Sequence, residues 1–248
     1  MMVVLVTGAS AGFGREIARI FAKNGHKIIA LARRKERLEE LQKEIGKCVI
    51  LPCDICDKAK VKAHLESLPQ DYREIDVLVN NAGLALGMAG ASECDFADWE
   101  QMIEVNIKAL AYITHLVLPQ MVKRKSGHII TLGSIAGRWP YPGGNVYGAS
   151  KAFVRQFALN LRADLAGTNV RVSDIEPGLS SDSEFSLVRF KGDKEKVDEL
   201  YKNSNALKPQ DIAEAVYWVA TLPKHVNVNT LEMMPTTQSF AALNVYKG

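Results

Sequence analysis

The chain has 248 residues, of which 47% are hydrophobic and 24% are charged, and its 31 basic and 28 acidic residues leave a formal net charge of +3. This length and composition suit one α/β domain whose core needs no disulfides. The charges are spread along the chain without a basic tract, which gives nucleic-acid binding no support. The start lacks a basic leader, and no apolar stretch reaches the roughly 18 residues of a membrane span, so we expect a cytoplasmic protein.

The cysteines stand at positions 48, 53, 56 and 94. Cys53 and Cys56 have the spacing of a metal or redox pair, but Pro52 and Asp54 place them at the end of a predicted strand. No second pair and no nearby histidine completes a tetrahedral site. We expect small buried thiols and no metal.

The first apolar run, Val3 to Thr7, predicts a strand that leads into a glycine-rich segment and then into a helical pattern. In this context glycines let the backbone approach a pyrophosphate, whose negative charge the helix N-terminus attracts. A tight turn that needs glycine for steric reasons alone is the alternative. The residues that the first interpretation assigns to a cofactor are Gly8, Ser10, Ala11, Gly12, Phe13 and Gly14.

The second predicted strand, His26 to Ala32, ends where a dinucleotide-binding fold usually carries an acid for the ribose hydroxyls of adenosine. Arg33 and Arg34 stand there instead. An acid would repel a 2′-phosphate, whereas a guanidinium pairs with it, so these residues favour NADP over NAD. A solvent-exposed basic start of the next helix is the alternative.

The next two predicted strands also end in polar residues. Cys48 to Cys53 delivers Asp54 and Ile55 at its carboxyl end, where open parallel sheets bind ligands, so Asp54 is a candidate for the adenine amino group. The same carboxylate is equally suited to cap the following helix. The fourth strand, Asp76 to Asn80, leads into Asn81-Ala82-Gly83, whose amide and glycine suit a close approach to a ribose.

A long helix is predicted from Met102 to Val122, with Asn106 in its interior. Asparagine is a mediocre helix former because its side chain competes for backbone hydrogen bonds. We expect a kink at Asn106 that holds a water.

The most informative segment runs from Ser134 to Lys151. A predicted buried strand, His128 to Leu132, precedes the serine, and a helix opens near Asn145. Tyr147 and Lys151 lie four residues apart and share a face of that helix. An ammonium beside the phenol would lower its pKa from about 10 and make it a base, while the serine hydroxyl bonds a substrate oxygen. An ordinary helix-start tyrosine and an exposed lysine are the alternative.

Together these residues resemble the short-chain dehydrogenase/reductase family over nearly the whole chain. The motifs that carry the resemblance are Thr7-Gly8-x-x-x-Gly12-x-Gly14, Asn80-Asn81-Ala82-Gly83, Asn106, Ser134 and Tyr147-x-x-x-Lys151. The resemblance implies one domain over residues 1–248, with a Rossmann-type, doubly wound sheet of seven parallel strands and helices on both faces. It also implies a catalytic tetrad of Asn106, Ser134, Tyr147 and Lys151. In the family the serine orients the substrate, the tyrosine is the acid/base, the lysine contacts tyrosine and nicotinamide ribose, and the asparagine positions a water.

Further segments are similar to the bacterial NADP-dependent 3-hydroxy acid dehydrogenases. They include Asn81-Ala82-Gly83-Leu84-Ala85-Leu86-Gly87, Trp139-Pro140-Tyr141, Phe185-Ser186-x-Val188-Arg189-Phe190-Lys191-Gly192-Asp193 and Asn229-Thr230-Leu231-Glu232-Met233-Met234-Pro235. This similarity implies a homotetramer that oxidises L-allo-threonine, serine and 3-hydroxypropionate, or reduces malonic semialdehyde. It also places Pro177, Gly178 and Leu179 beside the nicotinamide carboxamide. The next residues, Ser180-Ser181-Asp182-Ser183, depart from the small apolar residue, glycines and threonine that the group carries there.

The charged segment at about 180–206 lies where the family carries a mobile substrate lid. Arg138 and Arg189 are candidates for a substrate carboxylate, because a guanidinium matches that planar group. Ordinary surface arginines are the alternative. The pattern then predicts a last helix over Asp211–Leu222 and a last strand over Val226–Met233. The stripe Phe153, Phe157, Leu161 and Leu165 indicates packing in the core or against another subunit. The tail residues Met233, Met234 and Tyr246 suit packing on a neighbouring subunit.

We therefore expect an NADP-dependent oxidoreductase that acts on a small 3-hydroxy acid. A 3-oxoacyl-thioester or general carbonyl reductase would share every catalytic residue. A non-enzymatic NADP-sensing protein on the same fold would not need Tyr147 and Lys151, whose presence argues against it.

Overall fold

The computed structural model describes residues 1–181 and 184–240, which form a parallel seven-stranded sheet between two layers of helices. The strands are β1 (Val3–Thr7), β2 (Lys27–Ala32), β3 (Cys48–Pro52), β4 (Val77–Asn80), β5 (Gly127–Leu132), β6 (Val170–Pro177) and β7 (Thr230–Met233). The helices are α1 (Gly12–Lys23), α2 (Lys35–Ile45), α3 (Lys58–Glu66), α4 (Phe96–Ile103), α5 (Leu110–Arg124), α6 (Asn145–Asp164), α7 (Phe185–Arg189), α8 (Lys194–Tyr201) and α9 (Pro209–Thr221). A π-helical segment, Glu104–Ala109, joins α4 to α5, and short 3₁₀ helices lie at Gln70–Tyr72, Ala91–Glu93 and Ile135–Gly137.

The strand order is β3-β2-β1-β4-β5-β6-β7, and every neighbouring pair is parallel. This confirms the predicted Rossmann-type, doubly wound sheet. The order of the chain reverses between β1 and β4, and ligands of such sheets bind at the carboxyl ends of the strands beside that reversal. The glycine-rich segment follows β1 there, and Asn81 follows β4.

Both faces of the sheet are covered, which explains why its central strands read as continuous apolar runs. Ile17, Phe21 and Val216 of α1 and α9 pack on one face, while Ile113 of α5 and Ala158 of α6 pack on the other. All five side chains are at most 2% exposed. The catalytic candidates therefore stand on a rigid frame at one edge of the sheet.

The last strand differs from its prediction, since pairing starts at Thr230 rather than at Val226. Asn227 explains the difference: its side-chain amide accepts a hydrogen bond from Val172 N and donates one to Val172 O, both at 2.8 Å. A side chain thus replaces the backbone pairing that an earlier start would provide. The last helix begins two residues before its predicted start, at Pro209, because proline suits the first helical turn.

No helix in the described part of the chain is long and apolar enough to cross a membrane. Among the same residues, no three His, Cys, Asp or Glu side chains converge as a metal site would require. Burial raises the pKa of the Cys53 and Cys56 thiols to about 11, so both are protonated at neutral pH.

Candidate functional site

The glycine-rich segment turns from β1 into α1 through backbone conformations that favour glycine. Gly8 has a φ of +70° and Gly12 a φ of +50°. α1 begins without a side-chain cap and without an acidic residue in its first turn. Its first N–H groups and its positive dipole end are therefore available to an anion, as a dinucleotide phosphate requires.

Hydrogen bonds fasten this turn to the segment after β4. Thr7 Oγ1 accepts from the backbone amides of Asn81 (3.0 Å) and Ala82 (2.9 Å), and Asn81 Nδ2 donates to Thr7 O at 2.8 Å. Asn80 points elsewhere, because its Nδ2 donates to Thr114 Oγ1. Asn81-Ala82-Gly83 thus lies against the turn after β1, where the sequence predicted a cofactor.

Gly14 supports the turn by lacking a side chain. A Cβ at this position would lie 2.4 Å from Gly8 O and 2.5 Å from Asn81 Nδ2, so backbone would have to move. We expect Gly14→Ala to lower the free energy of unfolding by about 1–3 kcal/mol, as overpacking does. Gly90→Ala is the matched control in urea denaturation, because nothing lies within 4 Å of a Cβ there and its φ is −59°. Equal stabilities of the two variants would show that the turn yields to a methyl group.

The two arginines after β2 have different surroundings. Arg34 donates to Ser10 Oγ at 3.1 Å and forms a 2.6 Å ion pair with Glu184, which also lies 3.7 Å from Arg37. Arg33 is exposed. A cavity of about 520 Å³ opens beside this cluster, between the glycine-rich turn and the segment after β6. Arg33, Arg34 and Arg37 therefore form a cationic cluster beside the cavity, and the Glu184 carboxylate pairs with two of these arginines.

Asp54 is exposed and accepts a hydrogen bond from Cys56 N at 2.9 Å. The cap of α3 is Asp57, which accepts from Lys60 N at 3.0 Å. The alternative interpretation of Asp54 as a helix cap is therefore wrong, and Asp54 stands at the carboxyl end of β3. Ile55 is buried.

Ser134, Tyr147 and Lys151 come together where β5 ends and α6 begins. Tyr147 and Lys151 are 8% and 7% exposed, and Lys151 Nζ lies 5.9 Å from the centroid of the tyrosine ring. The ammonium donates to Leu132 O at 2.7 Å, and the Ser134 hydroxyl is close enough to Tyr147 to lower the pKa of its phenol. The predicted neighbourhood of these three side chains is present, in a nearly dry pocket.

Asn106 lies in the π-helical segment between α4 and α5, so the long helix predicted there is interrupted at this residue. Its Oδ1 accepts from Leu84 N at 2.9 Å, and its Nδ2 donates to Leu84 O at 2.8 Å and to Ser150 Oγ at 3.0 Å. Protein groups therefore bond both ends of the amide. The asparagine ties the segment after β4 to α6, and π-helical turns are frequent at functional sites.

Burial controls the protonation of the tyrosine–lysine pair. It raises the pKa of Tyr147 to about 12, against the opposing effects of the Ser134 hydrogen bond and the Arg189 charge. It lowers the pKa of Lys151 to about 8, against the attraction of Asp174. The predicted lowering of the tyrosine pKa by Lys151 is wrong in this structure, because desolvation outweighs the favourable charges. At neutral pH Tyr147 is a phenol, ready to donate a proton.

A family model described as short chain dehydrogenase matches residues 2–191 of this chain. The chain belongs to the short-chain dehydrogenase family. It is 61% identical over 247 residues to the NADP-dependent 3-hydroxy acid dehydrogenase YdfG of Salmonella typhi, which covers 99% of this chain and 100% of that protein. It is 50% identical over 245 residues to the serine 3-dehydrogenase of Agrobacterium fabrum, with 98% of both chains covered. A solved closed form of serine dehydrogenase complexed with NADP+ matches with a TM-score of 0.98 and 60% identity, over 100% of both chains.

In this short-chain dehydrogenase, Arg189 stands over the buried tyrosine. Its guanidinium carbon lies 5.5 Å from the centroids of both the Tyr147 and Tyr141 rings. Arg189 Nη2 donates to Tyr141 Oη at 2.7 Å, and its backbone carbonyl accepts from Gly87 N at 2.9 Å. The side chain is thus a fixed cation beside the hydroxyl that would handle the substrate oxygen.

Arg138, the other candidate for a substrate carboxylate, is placed differently. It forms ion pairs with Glu176 (3.0 Å) and Glu232 (3.3 Å). Because two protein carboxylates already neutralise this guanidinium, the structure does not support its predicted role. Trp139 Nε1 also bonds Glu232, so the segment after β5 is tied to β7.

The segment after β6 does not leave its amides free. Gly178 N donates to Met233 O at 2.8 Å, and Leu179 N donates to the side-chain carbonyl of Gln238 at 2.8 Å. A nicotinamide carboxamide bound beside Leu179, as the resemblance implies, would have to replace Gln238 as the partner of Leu179 N. The carbonyl oxygen of Pro177 accepts a hydrogen bond from Ser134 Oγ at 3.4 Å. Of the serine-rich departure, Asp182 and Ser183 lie outside the described residues.

Helix α7, in the segment predicted as a lid, packs against the site. The Phe185 ring lies 5.8 Å from the Tyr147 ring, and Lys191 forms a 2.8 Å ion pair with Asp98 of α4. The sequence interpretation missed the functional neighbours Tyr141, Glu184 and Gln238. Their positions depend on contacts between segments far apart in the chain, and no local spacing marks them.

Proposed function

We propose that this chain is an NADP-dependent oxidoreductase that moves a hydride between NADP(H) and the carbinol carbon of a small 3-hydroxy acid or its carbonyl counterpart. The observation that most directly supports this proposal is the position of Arg189, whose guanidinium carbon lies 5.5 Å from the centroid of the Tyr147 ring. A substrate with a hydroxyl at one end and a carboxylate at the other fits this pair of groups. The substrates that we propose are L-allo-threonine, serine, 3-hydroxypropionate and malonic semialdehyde.

NADP, when bound, supplies the hydride carrier. Three parts of the fold would hold it. The first is the turn after β1, with Gly8, Ser10, Ala11, Gly12, Phe13 and Gly14. The others are the segments that follow β2, β3 and β4, with Arg33, Arg34, Asp54, Ile55, Asn81, Ala82 and Gly83, and the neighbourhood of the catalytic candidates, with Tyr147, Lys151, Pro177, Gly178 and Leu179. The free start of α1 and the cavity of about 520 Å³ beside it support this fit.

The chain's own residues handle the proton and the substrate. In the oxidative direction Ser134 holds the substrate hydroxyl, and the Tyr147 oxygen accepts its proton, once the phenol has given up its own, as the hydride leaves the carbon. In the reductive direction the phenol of Tyr147 donates its proton to the carbonyl oxygen. The Lys151 ammonium lies 5.9 Å from the centroid of the Tyr147 ring, and Asn106 holds the surrounding segments in place.

The arginine cluster should decide between cofactors. We expect Arg34→Ala to raise the dissociation constant for NADP about 10–100-fold, the value of a hydrogen bond to a charged group, while that for NAD stays within about twofold. Arg33→Ala should act in the same direction. Glu184→Gln is the opposing variant: it removes a carboxylate from the cluster and should tighten NADP binding several-fold. Isothermal titration calorimetry measures all three, and equal weakening for both cofactors would place the 2′-phosphate elsewhere.

We further propose a cytoplasmic homotetramer with a lid at residues 180–206. Large apolar side chains that remain exposed in one chain support the assembly: Trp139 (42%), Trp218 (51%) and Phe240 (57%). The predicted packing of Tyr246 on a neighbour lies outside the described residues. Light scattering on the purified protein tests the assembly directly.

Initial rates of NADP and NAD reduction test the function. The substrates are L-allo-threonine, L-serine, 3-hydroxypropionate and a secondary alcohol without a carboxylate, and a 3-oxoacyl thioester tests the reductive direction. Carboxylates turned over with NADP support the proposal. Preference for the neutral alcohol or the bulky thioester would favour a general carbonyl or thioester reductase. No turnover despite tight NADP binding would favour a sensor.

A further inference from the structure

Two carboxylates lie in the interior beside the site, and no step of the proposed reaction uses them. Asp174 and Glu176 of β6 are both 0% exposed. A buried carboxylate is costly unless cations or donors compensate it. Two acids therefore stand at positions where apolar side chains would cost less free energy to bury. The residues around them indicate a role.

Two acids on β6 and two cations on α6 have matching spacings along their elements. Residues i and i+2 of a strand share a face about 6.6 Å apart, and residues i and i+4 of a helix share a face about 6 Å apart. Lys151 and Arg155 have the second spacing on α6, which packs on the face of β6 that carries Asp174 and Glu176. Arg155 Nε lies 3.2 Å from Glu176 Oε1. In this register Lys151 corresponds to Asp174, which forms no direct ion pair with it but attracts its ammonium through space.

Asp174 also touches the segment that carries the catalytic groups. Thr131 Oγ1 donates to its Oδ1 at 2.6 Å, while its Oδ2 has no hydrogen-bond partner among the described residues. A Cβ on Gly133 would lie 2.6 Å from that Oδ2. Gly133 stands between Leu132, whose carbonyl accepts from Lys151, and Ser134. The Asp174 carboxylate therefore lies against the segment from Leu132 to Ser134. Leu132 holds Lys151 through its carbonyl, and Ser134 is the residue that would hold the substrate oxygen.

We propose that Asp174 is a positioning residue for Lys151, the buried counter-charge that holds its ammonium in place. Glu176, paired with Arg138 and Arg155, lies beside Asp174 and opposes its ionisation. The inference rests on the proposed function only for its effect on turnover.

The charges around the pair determine its behaviour with pH. Lys151 is faced by Tyr147 of its own helix and by Asp174 of β6, and Arg189 of α7 lies over the tyrosine. Asp174 is faced by Lys151 and Glu176; beyond Glu176 stand Arg138, Arg155 and, on β7, Glu232. Burial raises the pKa of Asp174 to about 7, and the attraction of Lys151 opposes this rise. Each member of the pair therefore favours the charged form of the other.

Reciprocity gives a test that needs no cofactor and no substrate. The ¹³Cγ signal of Asp174, assigned by its loss in Asp174→Asn, is followed by NMR across pH 4–10. We expect Lys151→Met to raise the midpoint of Asp174 by about one unit or more, because the carboxylate loses its cation. Lys108→Met, on the exposed side of the chain, is the control and should leave the midpoint unchanged. An unchanged midpoint in a folded Lys151→Met protein overturns the inference.

Turnover gives the second test. Asp174→Asn keeps shape and should lower the pKa of Lys151, so the alkaline loss of kcat should move down by about one pH unit. A purely structural role would reduce the rate at all pH values without moving that limb, and this outcome overturns the inference. If the wild-type protein shows no turnover with any substrate, the proposed function fails, while the NMR result still decides the role of Asp174.

Thermal unfolding gives a check with a defined sign. Folded Asp174 keeps its proton up to about pH 7, whereas an unfolded aspartate loses it near pH 4. The wild-type protein therefore loses stability from this group as pH rises from about 4 to 7. Because Asp174→Asn lacks the titration, its Tm relative to wild type should rise across that window. A constant difference would contradict the elevated pKa.

Discussion

Replacing Tyr147 by Phe should reduce turnover by about 10²–10⁴-fold, the range for removal of a general acid–base group. The ring and its packing against Phe185 remain, so the fold and the affinity for NADP should stay close to those of the wild type. The loss comes from the missing hydroxyl, the group that exchanges a proton with the substrate oxygen. Steady-state rates and NADP titration measure the two effects separately.

Tyr112→Phe is the control for this variant. Its hydroxyl is a hydrogen-bond donor too, to Lys58 O at 3.3 Å on α3, away from the site. Turnover by this variant should be unchanged. If Tyr147→Phe keeps more than about a tenth of the wild-type rate, the proton passes through another group, and the assignment of the acid/base is wrong.

Replacing Arg189 by Ala should lower kcat/KM for a 3-hydroxy acid by about 30–5,000-fold. Removing one partner of a desolvated charge pair costs about 2–5 kcal/mol, and the substrate carboxylate would lose its cation above Tyr147. A secondary alcohol without a carboxylate should lose no more than a few-fold. The ratio of the two kcat/KM values is the quantity to measure. Arg189→Lys should fall between, because it keeps the charge but loses the planar fork that matches a carboxylate.

Arg138→Ala separates substrate binding from general damage. Its guanidinium is paired with Glu176 and Glu232, so its removal should lower stability without changing the preference for carboxylate substrates. A loss of that preference in Arg138→Ala, with Arg189→Ala near normal, would reverse the roles that the structure gives the two arginines.

The sequence by itself determined the fold and the elements that carry the site. β1, the glycine-rich turn and α1 are neighbours in the chain, so their mutual geometry follows from local rules for strand, glycine and helix start. The same holds for Tyr147 and Lys151, which one turn of α6 brings to a common face. Strand ends were also predictable in a parallel sheet, because all its carboxyl ends meet at one edge.

Only the tertiary structure decided what surrounds these elements. Arg138 and Arg189 are alike in the sequence, but packing buries carboxylates beside one and a phenol beside the other. The protonation of Tyr147 was mispredicted for the same reason: spacing shows that an ammonium is near, whereas desolvation depends on every segment that covers the ring. Likewise, Asp174 and Glu176 come to lie on the same side as Lys151 and Arg155 only because β6 packs against α6 in the folded chain. Charge and burial are sums over distant parts of the chain, and local patterns do not contain them.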